Sequence, residues 1–472
     1  MKALWTKQDL IAATNAIDPS LNFLNKINAV SGISIDDRTI QPGDLFIAFK
    51  GDKFDGHDFV QSAITKGASG VIVSDPTLAK KYKGLLVNNT NKALINIAKF
   101  SRNRFKGTII ALTGSSGKTS TKHLLSSSLK IYGTTHSTKE NNNNIVGLSL
   151  TLSRLDPDSK YCVLELGINN VGEMEELTKL ALPNIALITN VTNSHIQNFR
   201  NEEEIAYAKS KIFLGLKKNS IVILNSDNFW CDFLIKEAKK LNLNIHLYGH
   251  CKNSDTSIKK IMQEKEGATI YFDNRKGWHL NYLNITQALN AVATVAVIKE
   301  LKLDVANTLK TISNIKPLPG RGDKIIINFK YNKKTLIIDD SYNANPDSMK
   351  TALNNFQNIS GNYKNYERIL IIGDMLELGE SSNELHLQLI PIIKKINPNV
   401  LITLGVYTAN ICKELCSIIN CYPYTSVDKL ITDIKKYLKP SQLILIKGSN
   451  GTGLWKLVPI LKRNIQEGSN VA

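Results

Sequence analysis

Nowhere in the chain do apolar residues run for the roughly 20 positions that a bilayer-spanning helix needs, so no stable membrane insertion is expected. The N-terminus lacks the apolar stretch of a signal peptide, because Met1-Lys2-Ala3-Leu4-Trp5 gives way at once to polar residues. The 6 cysteines (Cys162, Cys231, Cys251, Cys412, Cys416, Cys421) form no CxxC pair, and Cys412 with Cys416 has no matching His or Cys cluster. Structural thiols in a reducing compartment are the simplest account, and the protein is expected in the cytoplasm. There is no low-complexity tract and no internal repeat. Although the formal net charge is +18, no long basic run carries it. Lysines are scattered in pairs such as Lys259-Lys260, Lys333-Lys334 and Lys394-Lys395, as on a solvated surface. No nucleic-acid partner is expected; a role resting on charge alone would show a steep salt dependence. The basic balance does favour the approach of nucleotide substrates.

What is present is ordinary globular material, 42% hydrophobic and 21% charged, in 472 residues, more than one core usually organises. The first hundred residues hold short β-like runs, Asp44 to Phe49 and Gly70 to Ser74, and end in Ser101-Arg102-Asn103-Arg104, which reads as a linker. Thr108 to Thr113, Tyr161 to Leu166, Asn184 to Asn190 and Ser220 to Leu224 have the unbroken apolar character of buried parallel strands, separated by helical segments. They predict a doubly wound α/β domain. Lys316-Pro317-Leu318-Pro319-Gly320 marks a second boundary, since neither a helix nor a central strand tolerates it. Beyond it, Thr335 to Asp339, Arg368 to Gly373, Val400 to Gly405 and Gln442 to Lys447 predict a Rossmann-like domain. The expected division is therefore 1–105, 106–318 and 319–472.

The sharpest chemical signal is Thr113-Gly114-Ser115-Ser116-Gly117-Lys118-Thr119 between a predicted strand and helix. Glycines let backbone amides approach phosphates, the helix N-terminus adds positive potential, Lys118 reaches the terminal phosphates and Thr119 suits Mg²⁺. Leu112 stands where the strict P-loop pattern has another glycine. Glu165 stands at the carboxyl end of one predicted strand and His195 a few residues after the end of another, at the sheet end where α/β proteins build their sites. An acid and a His beside a P-loop suggest a magnesium site, although Mg²⁺ prefers oxygen ligands. Lys209 falls on the stripe Ile205, Lys209, Ile212, Leu216 of a helix predicted over Glu202 to Leu216, so it should face inward. Two readings stand open: a snorkelling lysine with a buried stem, or a desolvated one able to act as a nucleophile or accept a modification that reverses its charge. Farther on, Asp339-Asp340-Ser341-Tyr342-Asn343-Ala344-Asn345-Pro346 puts more polar groups at a strand end than a turn and cap require. Arg321, just after Pro319-Gly320, could deliver its charge to a phosphate when domains close. Gly448-Ser449-Asn450-Gly451-Thr452-Gly453 is another strand-end loop, with no requirement to bind phosphate.

Together these residues resemble the Mur ligases almost end to end. The N-terminal likeness is carried by Asp37-Arg38, Pro42 to Ala48 and Asp55-Gly56-His57-Asp58-Phe59. The central likeness is carried by the TGSSGKT loop, Asn141 to Asn144, Glu165-Leu166-Gly167, Gly172-Glu173 and Ala208-Lys209. Ser341 to Pro346, Gly373 to Gly379 and Lys447-Gly448-Ser449 carry the C-terminal one. The resemblance implies an N-terminal UDP-binding α/β domain, a central P-loop ATPase-like domain and a C-terminal Rossmann-like domain that closes over ATP. It implies an ATP-dependent ligase, acting as a monomer, that joins D-alanyl-D-alanine to UDP-N-acetylmuramoyl-tripeptide through an acyl phosphate to make the pentapeptide precursor of peptidoglycan. By the same resemblance Gly114, Ser115, Ser116, Gly117, Lys118, Thr119, Ser120, Asn284, Arg321 and Asp340 would hold ATP. Lys118, Lys209, His195 and Arg321 would serve catalysis; Thr119 would hold a first Mg²⁺, and Glu165, His195 and a carbamylated Lys209 a second. Asp37, Arg38, Asp55, Gly56 and His57 would meet the UDP-sugar, and Asn141 and Asn144 the peptide.

Three positions depart from the family pattern: Asp37 replaces the usual Ser, Lys211 a commonly acidic residue, and Leu283-Asn284-Ile285-Thr286-Gln287 a His-Asn-x-x-Asn segment. The alternatives are a sister Mur enzyme, a folylpolyglutamate synthetase, or a nucleotide-binding scaffold without catalysis. PGDLFIA and DGHDF argue against the folate enzyme, SYNANP and GDMLELG favour the dipeptide-adding ligase, and retention of Lys118, Lys209, Glu165 and His195 argues against the scaffold.

Overall fold

Apolar runs too short for buried helices and flanked by turn residues become strands covered on both faces. In the computed structural model, which describes residues 3–17, 29–193, 196–264, 267–273, 277–281, 285–329, 331 and 333–468, they build three main sheets. The first is a parallel sheet of four strands, Gly32–Ser34, Asp44–Ile47, Gly70–Val73 and Leu85–Leu86, in that order.

The second sheet has nine strands. At its centre the P-loop strand Thr108–Thr113 lies between Ile185–Ile188 and Tyr161–Glu165, all parallel. The chain runs first to the edge strand Thr135–Ser137, returns through Tyr161–Glu165, then crosses to the other side of the P-loop strand. This reversal of direction opens a crevice at the carboxyl ends of the strands. Three further strands, Thr256–Glu264, Gly267–Phe272 and Trp278–Leu280, extend the sheet as an antiparallel meander. Sequence reading did not identify them, because their alternation of buried and exposed residues is confined to short runs.

The third sheet has six strands in the order Asp323–Asn328, Lys334–Asp340, Gln442–Lys447, Glu367–Gly373, Val400–Leu404, Asn420–Tyr424, parallel except for the first. The last strand in sequence thus inserts beside the second, and register pairs Asp340 with Lys447. Among the described residues no helix is long and apolar enough to cross a membrane.

Two expectations need correction. Ser101 to Arg104 is not a linker but the last turn of the helix Thr90–Arg104. Ser101 is buried, Arg102 donates to the carbonyls of Ala181 and Leu182, and Arg104 stacks over Trp5 at 4.0 Å while donating to the Leu4 carbonyl. Partners distant in sequence satisfy the polar groups that made the segment look like a linker. The helix predicted over Glu202 to Leu216 ends at Ser210 and continues as a 3₁₀ segment, Lys211–Gly215. Its inward stripe survives: Ile205, Lys209 and Ile212 are all buried.

Trp5 ties the chain start to the central unit, donating from Nε1 to the carbonyl of Ser153 at 2.7 Å in a core that Val146 and Leu150 also pack against. Trp5→Ala is expected to cost about 3–5 kcal/mol in denaturant unfolding. A loss below about 1 kcal/mol would show that the site collapses around the missing ring.

Candidate active site

The P-loop backbone needs glycine where it turns. A Cβ on Gly114 would lie 1.9 Å from Thr189 Oγ1, and Gly117 caps the following helix, Lys118–Leu129, at a φ of 80°. The loop is fixed from the neighbouring strand end: Asn190 accepts from the amides of Ser115 (3.0 Å) and Ser116 (2.8 Å), and Thr189 Oγ1 donates to the Ser116 carbonyl (2.6 Å). Lys118 Nζ donates to the Gly114 carbonyl at 2.6 Å. Burial lowers the Lys118 ammonium pKa, as does Arg321, against the pull of Glu165.

Parallel register sets Glu165 beside Leu112, one residue short of the P-loop strand's end. Its Oε1 receives hydrogen bonds from Thr119 Oγ1 (3.1 Å) and Asn143 Nδ2 (3.0 Å), and its Oε2 pairs with Lys122 Nζ at 3.0 Å. Asn144 is the N-cap of the helix Ile145–Ser153, accepting from the Gly147 amide at 2.9 Å, while Asn141 is exposed.

Across the crevice, the segment after Pro319 is anchored by Asp339. Its carboxylate accepts from the Gly320 amide (3.1 Å) and from Ser341 Oγ (2.6 Å), yet burial raises its pKa. Arg321 leaves this turn with its guanidinium 4.0 Å above the Tyr342 ring, and Gln287 Nε2 holds its carbonyl at 2.6 Å. Asp340 pairs with the buried Lys447 at 2.8 Å, and Lys447 also donates to the Asn343 carbonyl. Asn345 then starts the helix Pro346–Ser360 with a capping box, so this part of the polar run serves local structure.

Both sides open onto one cavity of about 1010 Å³. It is lined by Ser115, Ser116, Gly117, Lys118, Thr119, Ser120, Asn141, Asn144 and Glu165 from the central unit, and by Arg321 and Asp340 from the C-terminal one. Sequence reading gave no role to Asn143, Lys122, Asn190 or Lys447. Lys122 had a legible signal, four residues after Lys118 on the same helix face.

Other expected residues lie elsewhere. Lys209 does not line the cavity; it is 3% exposed, and burial, reinforced by the charge of Lys118, drops its ammonium pKa far below the ordinary lysine value. Lys211 places its ammonium 3.6 Å from the centre of the Tyr207 ring. Asp37, Arg38, Asp55, Gly56 and His57 are also absent from the cavity wall. Asp37 accepts from Ser62 Oγ (2.6 Å) and Lys66 Nζ (2.7 Å), and Arg38 pairs with Asp36 at 2.7 Å. His57 Nδ1 meets Asp55 at 2.6 Å, its Nε2 accepts from the Ser74 amide at 2.9 Å, and a Cβ on Gly56 would strike the Phe49 amide. His195 and Asn284 lie outside the described residues.

Among the described residues no group of three or more histidine, cysteine, aspartate or glutamate side chains could hold a metal ion. The Glu165 carboxylate and Thr119 hydroxyl nevertheless put two oxygen donors 3.1 Å apart at the cavity wall, a donor set that suits a hard divalent cation.

Family models match three stretches: Mur ligase family, catalytic domain over 29–102; Mur ligase middle domain over 112–298; and Mur ligase, glutamate ligase domain over 327–450. A UDP-N-acetylmuramoyl-tripeptide--D-alanyl-D-alanine ligase of Rickettsia prowazekii is 36% identical over 94% of this chain and 98% of its own length. A crystal structure of MurF from Acinetobacter baumannii superposes with a TM-score of 0.81 at 27% identity, covering 97% of this chain and 99% of that one. MurF ligase from Thermotoga maritima in complex with ADP superposes with a TM-score of 0.76 at 26% identity, covering 93% and 98%. Agreement over nearly the whole length, in a chain whose P-loop faces a second polar strand end across one cleft, makes this protein a member of the Mur ligase family.

Proposed function

We propose that this chain is an ATP-dependent ligase that joins D-alanyl-D-alanine to UDP-N-acetylmuramoyl-tripeptide, giving UDP-N-acetylmuramoyl-pentapeptide, ADP and phosphate. The observation that carries the reading is the cavity that sets Lys118, Thr119 and Glu165 opposite Arg321 and Asp340, in a chain similar from end to end to UDP-N-acetylmuramoyl-tripeptide--D-alanyl-D-alanine ligases. We assign the UDP-sugar to 1–105, ATP to 106–318 and closure to 319–472. A cytoplasmic monomer fits substrates that are nucleotide-linked and made where ATP is abundant, with no nucleic acid and no membrane insertion involved.

The P-loop amides from Gly114 to Ser120 cradle the phosphates, with Lys118 at the terminal ones and Thr119 offering its oxygen to a first Mg²⁺. When bound, Mg²⁺ neutralises charge on the phosphate oxygens as the γ-phosphoryl group moves. Arg321 and Asp340 contact ATP from the closing side, with Asn284 as a further nucleotide contact. Asn141 and Asn144 orient the tripeptide so that its terminal carboxylate attacks the γ-phosphorus and ADP leaves. The amine of D-alanyl-D-alanine then attacks the acyl phosphate carbonyl; the tetrahedral intermediate collapses with loss of phosphate and of the amine proton. Most of the acceleration comes from positioning and charge neutralisation.

Carbamylated Lys209 joins Glu165 and His195 as a second set of metal-binding groups in this proposal. What supports it is the burial of Lys209, which favours the neutral amine that CO₂ requires. Asp37, Arg38, Asp55, Gly56 and His57 are assigned to the UDP-sugar; their distance from the ATP cavity accords with binding the opposite end of a long substrate.

The test is phosphate release with Mg²⁺ and ATP, adding each acceptor alone and then both, with the product weighed. Release requiring both, and a mass gain of the dipeptide less water, is expected. Release with a single amino acid or a folate acceptor would identify a sister enzyme, and silence with every acceptor a scaffold.

A further inference from the structure

Lys122 projects from the same face of the P-loop helix as Lys118, one turn on. Its side chain is only 6% exposed, and its ammonium donates to the backbone carbonyl of Glu140 and forms an ion pair with Glu165 Oε2 at 3.0 Å, an oxygen with no hydrogen-bond donor of its own among the described residues. Glu165, Thr119 and Asn143 line the cavity, whereas Lys122 does not. The two carboxylate oxygens therefore have separate duties. Oε2 is held by the lysine, and Oε1 is left toward Thr119 Oγ1 and Asn143 Nδ2, the polar groups of the cavity wall.

This arrangement fixes a direction and cancels a charge. A buried ammonium needs its anion, so the pair holds the carboxylate in one orientation. A bare divalent cation approaching Oε1 meets an acid already neutralised by a cation on its other oxygen, and the repulsion is little screened at this depth. A nucleotide brings its own negative phosphates and removes that obstacle. The same lysine grips the carbonyl of Glu140, which has a left-handed φ of 46° and precedes the Asn141 to Asn144 loop.

We propose that Lys122 is a positioning residue whose ammonium aims the Glu165 carboxylate at the cavity and balances its charge, so that the site takes a divalent cation together with a nucleotide and not alone. This inference rests on the cavity being the ATP site, and its test needs no ligase turnover.

The experiment is titration of the full-length protein with Mn²⁺, reading free Mn²⁺ by electron paramagnetic resonance, with and without ADP, for the native chain, Lys122→Met and Lys122→Arg. The native protein is expected to hold Mn²⁺ about tenfold or more tightly with ADP than without, and Lys122→Met to hold Mn²⁺ alone about tenfold more tightly than the native chain. Lys122→Arg, which keeps the charge, should behave as the native chain does. Equal Mn²⁺ affinity with and without ADP in the native protein overturns the proposal, even if Lys122→Met fails to fold. An affinity in Lys122→Met unchanged or weakened overturns it as well. Failure to bind ADP at all would instead remove the nucleotide-site reading beneath it.

Discussion

Lys118→Ala is expected to lower ATP-dependent phosphate release by about 10²–10³-fold, the scale on which loss of one preorganised charge-stabilising donor is felt. The lysine stands at the head of the P-loop helix with its ammonium on the Gly114 carbonyl, on the wall of the cavity shared with Arg321. A group placed there already feels the pull of Glu165 and meets the far larger negative charge of the phosphates as they bind and transfer. The variant should keep its fold, because burial and the nearby Arg321 both disfavour the Lys118 ammonium in the free protein. Steady-state release and thermal unfolding, measured together, separate the two effects. Activity within about tenfold of the native protein would mean that the phosphates are held by other groups. A collapse in stability would mean that Lys118 is chiefly structural.

Stripping CO₂ from the buffers is expected to inactivate the native enzyme, and adding bicarbonate to restore it; Lys209→Arg should stay depressed by about 10–100-fold in both. Lys209 is 3% exposed, and its ammonium pKa is held well below the ordinary lysine value, first by burial and then by the charge of Lys118. The lowered pKa favours the neutral amine, the form that adds CO₂. One N–C bond forms as a C=O π bond of CO₂ opens, one proton leaves to water, and a neutral amine facing Lys118 becomes an anion facing it. The unmodified lysine has its own signature. Its folded pKa lies below the unfolded value of about 10.5, so between the two the unfolded chain holds the extra proton. Stability contributed by this group therefore rises with pH across that window. A rate indifferent to CO₂, with an active Lys209→Arg variant, would leave Lys209 as a buried lysine without a chemical task.

Much of this was legible in one dimension. The P-loop could be read because a strand, a glycine turn and a helix start are decided by neighbours a few residues apart. The same holds for the predicted parallel strands, whose apolar character over successive residues is local. The inward stripe of Ile205, Lys209 and Ile212 was also readable, although the helix behind it stops at Ser210. Ser101 to Arg104 misled because its polar groups find partners as far away as Leu4 and Ala181. Composition alone cannot distinguish a polar segment facing solvent from one satisfied at an interface.

The sequence by itself determined that a nucleotide loop and a second strand-end polar cluster exist in this protein, since both are written within short stretches. Only the tertiary structure decided that they share a cavity and that the five N-terminal candidates stand outside it. It also decided that Glu165 divides its two oxygens between Lys122 on one side and Thr119 with Asn143 on the other. The physical reason is register. The pairing of Leu112 with Glu165, and of Asp340 with Lys447, joins residues 53 and 107 positions apart. Which strands become neighbours is set by the packing of whole sheets and helices, a long-range choice that no local pattern encodes.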